Sequence, residues 1–286
     1  MVKSFIPQSL EEALKIRAEE HAIPLAGGSD LMVQHRKGTG VVPEFSAPIM
    51  IITGLKELKG IRTEDDGTVV IGALTTSAEI ADSEQVPFFV RKAASLMGAI
   101  SLRNSATIGG NIGNASPKGD LPQPLILLDA SVVLKSISGE RTILLDDFIK
   151  GSKKTELRDD EIITEIRIPK AEWTYGYYRK IGTRKANAIS KLSLSALILA
   201  EDGVIKDFRV SSGAAGPKVA RSRANEEKLI GKSISEIEGL KADILDTHDT
   251  VISPHAMPEW RRNTTRRMLD HFLSEVASGA PAGIIE

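Results

Sequence analysis

Two glycine-rich segments constrain this chain more than any other feature. They are Ala26-Gly27-Gly28-Ser29-Asp30-Leu31 and Thr107-Ile108-Gly109-Gly110-Asn111-Ile112, the second running on through Asn114-Ala115-Ser116-Pro117-Lys118-Gly119-Asp120. Adjacent glycines admit positive φ and let a ligand approach the backbone, so consecutive N–H groups can point at one anion. Ser29, Thr107 and Asn111 add side-chain donors, and Asp120 adds an acceptor suited to a ribityl or ribose hydroxyl. Either turn alone is weak, because Gly-Gly turns also close strands that bind nothing. Together they point to a site for a phosphorylated cofactor.

Other chemistries lose ground on the same reading. A dinucleotide fold of the Gly-x-Gly-x-x-Gly type needs a spacing that neither turn has. Gly231-Lys232-Ser233 ends like a phosphate loop, but Glu226 stands where its first glycine belongs. The five histidines, His21, His35, His248, His255 and His271, show no metal-ligand spacing, and no Gly-x-Ser-x-Gly elbow is present. Cysteine is absent, which excludes disulfides, Cys-ligated iron–sulfur clusters and thiolate nucleophiles from this chain. A formal charge of -1 supplies no general field for nucleic acid. The N-terminus lacks an apolar leader and no apolar run approaches the ~20 residues of a spanning helix, so a cytoplasmic protein is expected.

At 286 residues with 41% hydrophobic side chains, the chain can build two or three cores, mostly aliphatic because aromatics make up 4%. Ser9-Leu10-Glu11-Glu12 is a capping-box pattern opening a helix to about Glu20, with Leu10, Ala13 and Leu14 facing inward. Strands at 23–26 and 49–53 complete a small α/β unit over residues 1–55. A second unit, 56–170, is expected to hold a hairpin turning at Asp65-Asp66-Gly67, a helix over 87–98, a hairpin around Ser138-Gly139 and a strand over 161–168. Beyond it, 171–286 reads as three strands (175–180, 193–200, 204–211), helices over 218–230, 234–245 and 258–276, and a frayed tail at 278–283. Strands followed by helices make the class α+β.

The wording of the two turns resembles the FAD-binding medium subunits of the molybdenum hydroxylases, the family of xanthine dehydrogenases and aerobic carbon monoxide dehydrogenases. The likeness extends to Ser101-Leu102-Arg103-Asn104 before the second turn, to the aromatic-x-Lys segment Tyr177-Tyr178-Arg179-Lys180, and to the Arg-rich final helix with Arg261, Arg262, Arg266 and Arg267. It implies an α+β, two-part FAD-binding domain of the PCMH type over 1–170, followed by a C-terminal domain over 171–286. It also implies non-covalent FAD held by Ala26, Gly27, Gly28, Ser29, Asp30, Thr107, Ile108, Gly109, Gly110, Asn111, Asp120, Ile163 and Lys180, with no catalytic acid or base of the chain's own.

The resemblance further implies a hetero-oligomer. Molybdopterin would sit on a large partner subunit and [2Fe-2S] clusters on a small one, while the flavin passes electrons to an outside acceptor. Ser29 keeps the hydroxyl of the commoner threonine, Lys118 adds a charge, and Met97 stands where NAD-reducing relatives carry an aromatic. Arg262 and Arg266 form an i,i+4 like-charge pair, and either a solvated face or an acidic partner answers it. The competing readings are a non-catalytic nucleotide-binding or assembly protein on the same fold, and a self-sufficient flavin oxidase.

Overall fold

The computed structural model describes residues 2–286, which form two compact units. One runs to Ser116 and resumes over Asp129–Lys170; the other joins Pro117–Leu128 to Ala171–Glu286.

The first unit opens with β1 (Ser4–Phe5), α1 (Leu10–Glu20), β2 (Ile23–Leu25), α2 (Leu31–Gln34) and β3 (Ile49–Ile51), and its parallel sheet runs in the order β1-β3-β2. Ser9 caps α1 by accepting from the Glu12 N–H at 3.2 Å, but the Glu12 carboxylate reaches past the cap to the Gln8 N–H at 2.7 Å. The expected capping box is therefore half formed. Ala13 and Leu14 are buried, Leu10 packs against the same core half-buried, and Arg17 joins them on the inner face. Arg17 sends its guanidinium to the carbonyls of Ala22 (3.0 Å), just past the helix end, and Glu161 (3.1 Å), pinning the helix to a segment far away in sequence.

The chain continues through β4 (Ile61–Thr63), β5 (Val69–Gly72), α3 (Ser77–Asp82), α4 (Phe88–Ser95), α5 (Ile100–Arg103) and α6 (Ile108–Gly113), then crosses to the other unit for α7 (Pro122–Leu127). It returns as β6 (Ser131–Ser136), β7 (Gly139–Leu144), α8 (Leu145–Phe148), the small hairpin β8 (Ile149–Gly151) and β9 (Lys154–Thr155), and β10 (Ile162–Ile168). The five-stranded antiparallel sheet runs β4-β5-β10-β6-β7.

The second glycine segment is not a loop, as read from sequence, but the short helix α6. Thr107 caps it by accepting from the Gly110 N–H at 3.2 Å.

The second unit is built on β11 (Tyr175–Ile181), β12 (Leu192–Glu201), β13 (Val204–Gly213), β14 (Ala220–Arg221), α9 (Arg223–Glu226), α10 (Ile237–Thr250), α11 (Pro258–Ala277) and β15 (Gly283–Ile285), with sheet order β14-β13-β12-β11-β15. Leu192, Leu194, Ala196 and Ile198 point from one face of β12 into an apolar core with residues of α10 and α11.

The opposite face carries Ser193 and Ser195, whose cross-strand neighbours are Lys180 and Tyr178 on β11 and Gly213 and Ser211 on β13. Alternation of this kind reads as a sheet with one wet face. Here α7 covers it: Gln123, fully buried, donates to the Ser211 carbonyl (2.9 Å) and hydroxyl (2.8 Å) and accepts from Ser195 (3.1 Å). Those bonds remove the cost of burying the polar face. Gly213 makes the approach possible, since a Cβ there would lie 2.4 Å from Ser193 Oγ and 3.0 Å from Gln123 Cβ.

Two sequence expectations fail in this unit. The helix over 218–230 is reduced to α9, because Ala220–Arg221 pairs with β13 and Arg221 turns inward to Glu226 at 2.7 Å. The tail is not frayed at its end: β15 pairs in parallel with β11, and Ile285 joins the core. Three of the four final-helix arginines find partners within this unit. Arg266 reaches Asp246 (2.6 Å) and Asp249 (2.9 Å) on α10, Arg262 binds the Ile252 carbonyl at 3.2 Å, and Arg261 is buried on the Ala214 carbonyl; Arg267 is exposed.

His248 on α10 is buried with Nε2 2.9 Å from Ser212 Oγ, and burial pulls its pKa down to about 4.

Candidate cofactor site

The first unit contains a cavity of about 420 Å³, within the range that takes small ligands and cofactors. β2 delivers the first glycine turn to its wall and α6 delivers the second. Ala26, Gly27, Gly28, Ser29, Asp30, Thr107, Gly109, Gly110, Asn111 and Ile163 all line it. Ile108 does not: it is fully buried, its N–H donating to the Thr75 carbonyl at 3.0 Å.

The first turn is held against the backbone of the segment before α6. A Cβ on Gly27 would fall 1.6 Å from the Ser105 carbonyl oxygen, so no other residue fits there, and Gly28 has φ +65°. With the chain bent this way, the N–H groups of Gly27, Gly28, Ser29, Asp30 and Leu31 donate to nothing among the described residues. Successive open N–H groups in a tight turn form an anion-binding concavity.

At the second turn the donors are engaged. Gly109 N–H binds the Ala73 carbonyl (2.9 Å), Gly110 N–H the Thr107 hydroxyl (3.2 Å) and Asn111 N–H the Thr107 carbonyl (2.9 Å). Gly109 serves close packing, since a Cβ would lie 2.7 Å from Ala73 Cβ and 2.8 Å from its carbonyl oxygen. What this turn offers the cavity is the bare surface of Gly110 and the Asn111 side chain. Asn111 donates to Met97 Sδ (3.7 Å), while its Oδ1 is buried without a partner. An orphaned carbonyl oxygen on a cavity wall calls for a donor from a ligand.

Sequence reasoning missed Arg17, Gln34, Asn114, Lys153 and Leu157, which also line the cavity. Asn114 follows the second motif closely enough to have been included. The others carry no local signal.

Asp120 and Lys180 belong to the second unit, where they form a buried pair: Nζ lies 2.8 Å from Oδ2, with both side chains under 10% exposed. Burial raises the Asp120 pKa and the Lys180 ammonium opposes that rise. Beside them the fully buried Tyr178 hydroxyl has its pKa pushed well up, first by burial and then by the Asp120 charge. Lys180 is therefore a buried lysine on β11 that pairs with a carboxylate of its own unit.

Residues 1–171 match the family model described as the FAD binding domain in molybdopterin dehydrogenase, and 177–276 match that of the CO dehydrogenase flavoprotein C-terminal domain. The chain belongs to the FAD-binding medium subunits of the molybdenum hydroxylases. Similar relatives include the glyceraldehyde dehydrogenase medium chain of Sulfolobus acidocaldarius, 32% identical over 92% of this chain and 93% of the relative. The nicotinate dehydrogenase FAD-subunit of Eubacterium barkeri is 34% identical over 86% and 85%. Among solved structures, carbon monoxide dehydrogenase from Hydrogenophaga pseudoflava lacking the Mo-pyranopterin moiety superposes with a TM-score of 0.86 at 27% identity, covering 98% of each chain.

The residues present fit the cofactor of this family. Five open N–H groups and the Ser29 hydroxyl supply donors for a diphosphate, Asn111 Oδ1 accepts from a hydroxyl or ring N–H, and Leu25, Leu74 and Ile163 give an apolar wall. No group of three or more His, Asp or Glu positioned for a metal occurs among the described residues, and no helix among them is long and apolar enough to cross a membrane.

Proposed function

We propose that this chain is the flavin subunit of a cytoplasmic, three-subunit molybdenum hydroxylase. A large molybdopterin subunit oxidises the organic substrate, a small [2Fe-2S] subunit conducts the electrons, and the FAD on this chain delivers them to an outside acceptor. FAD supplies the step between one-electron and two-electron transfer, and the protein's work is binding, orientation and tuning. Residues 1–170 form the FAD domain in this reading and 171–286 the C-terminal domain. The open N–H groups of 27–31 take the diphosphate, Ser29 adds a hydroxyl donor, and Ala26, Gly109, Gly110 and Ile163 give the cofactor surface to lie on. Thr107 acts by holding α6 in place, while Asp120 and Lys180, expected from sequence as cofactor residues, pair with each other in the second unit.

The observation that carries this reading is the run of five open donors on a cavity wall. It explains why a chain of this family keeps Gly27 pressed against the Ser105 carbonyl. The full-length likeness to dehydrogenase subunits favours electron transfer over a bare binding module or a self-sufficient oxidase.

The test is the purified chain itself. A flavin visible spectrum, or its recovery when FAD is added to the apoprotein, is expected, together with no turnover of purine, nicotinate or carbon monoxide in the absence of partner subunits. A colourless protein that cannot be reconstituted would favour the binding module. Turnover by a chain free of molybdenum and iron would favour the oxidase.

A further inference from the structure

Four side chains on the cavity wall form a closed ring of hydrogen bonds. Gln34 Nε2 donates to Asp30 Oδ2 and to Asn114 Oδ1, the latter at 2.8 Å. Lys153 Nζ donates to the same two oxygens, at 3.2 Å to Asp30 and 2.5 Å to Asn114. Two donors thus share two acceptors, and the ring ties together three stretches far apart in sequence: the first glycine turn with α2, the end of α6, and the turn between β8 and β9. All four residues line the cavity, and Asp30 and Lys153 are about half exposed, which puts the ring at its mouth.

The backbone beneath it is arranged at a cost. Lys153 has φ 60° and Ala115 φ 43°, and the Lys153 N–H binds the Ala115 carbonyl at 2.9 Å. Left-handed residues that are not glycine persist only where the surroundings hold them. Here they aim a lysine across the opening. The other lining cation, Arg17, is directed at backbone carbonyls instead.

We propose that this ring is a clasp that retains the bound dinucleotide, with Lys153 as its moving part, so that release of the cofactor requires Lys153 to leave Asp30 and Asn114. The proposal rests on the flavin reading above. An exposed ion pair contributes little to folding stability and is screened by salt, so the clasp acts on the rate of escape rather than on the fold.

The experiment follows flavin fluorescence after dilution of the FAD-loaded full chain at low and high salt. Lys153→Met is expected to release FAD about tenfold faster at low salt and to lose the salt dependence that the parent protein shows. Asn114→Ala and Gln34→Ala should accelerate release by less, Lys153→Arg should stay slow, and circular dichroism should confirm that each variant is folded. Asp30→Asn separates two roles for Lys153. In the clasp it speeds release, whereas if Lys153 simply binds the diphosphate and Asp30 competes for it, release slows and the clasp is overturned. Release from Lys153→Met at the parental rate overturns the clasp alone. A parent chain that takes up no FAD overturns the flavin reading first and the clasp with it.

Discussion

The two glycine turns meet the same cavity with nearly the same composition, yet they use glycine in opposite ways. In the first, Gly27 and Gly28 bend the chain so that five successive N–H groups are left open; in the second, the donors of Ile108, Gly109, Gly110 and Asn111 all bind neighbouring carbonyls or the Thr107 hydroxyl. The first turn is a donor array. The second is a packing device that brings α6 against the Ala73 backbone and leaves an orphaned amide oxygen facing the ligand. A Gly-Gly motif therefore says that backbone comes close to something, and the partner of that approach has to be found in space.

The hardest blow to this contrast should come from Gly27→Val. Its side chain cannot coexist with the Ser105 carbonyl, so loss of flavin is expected together with destabilisation of more than about 3 kcal/mol, measured by urea unfolding of the apoprotein. A stable, flavin-free Gly27→Val protein would show that the close approach serves the ligand alone.

Next in size is a change outside both turns. Lys180→Met leaves the Asp120 carboxylate buried without its cation, a loss of about 3 kcal/mol or more, and Lys180→Met with Asp120→Asn should recover most of it. If the single variant instead shifts the flavin potential with stability unchanged, Lys180 acts on the cofactor and its pairing with Asp120 is secondary.

Such comparisons belong at neutral pH, because acid adds a loss of its own. His248 is neutral in the folded protein, with its pKa near 4 against an ordinary value of 6.5. The unfolded chain therefore binds the extra proton between those values, and stability falls as pH drops through that window, by at most about 3 kcal/mol. His248→Asn should flatten the slope of unfolding free energy between pH 6.5 and 4. An unchanged slope would assign the acid sensitivity to other groups.

The finest distinction is between Gly28→Ala and Gly110→Ala. Gly28 sits at φ +65° and its replacement costs about 1 kcal/mol. Gly110 is helical, with Thr107 Oγ1 3.0 Å from a Cβ as its nearest contact, so alanine there should change stability by less than about 1 kcal/mol in either direction. Both should weaken flavin retention. A Gly110→Ala protein that keeps its flavin fully would mean that the cofactor stands clear of α6.

Local signals told most where they were strongest. The Ser9 cap, Pro258 at the start of α11 and the Asp65-Asp66-Gly67 turn each act within a few residues, and the elements they mark are present. α6 was hidden because Gly109 and Gly110 disfavour a helix that Thr107 and contacts with Ala73 sustain. The cover over the Ser193 and Ser195 face could not be read from sequence, because nothing near that strand announces α7. In the site, both glycine turns were legible, whereas Gln34 and Lys153 were not, since their positions are set by pairing across the fold.

The excursion of Pro117–Leu128 bears on how the protein is made. Gln123 on this stretch is fully buried against Ser195 and Ser211 in the finished molecule, but the strands that carry those partners, Leu192–Glu201 and Val204–Gly213, leave the ribosome several seconds later at ~5–20 residues per second. During that interval the segment that docks through Gln123 has no sheet to meet. A gene cut after residue 170 would make the interval permanent, so the two halves of this polypeptide are poor candidates for separate expression or for shuffling between genes.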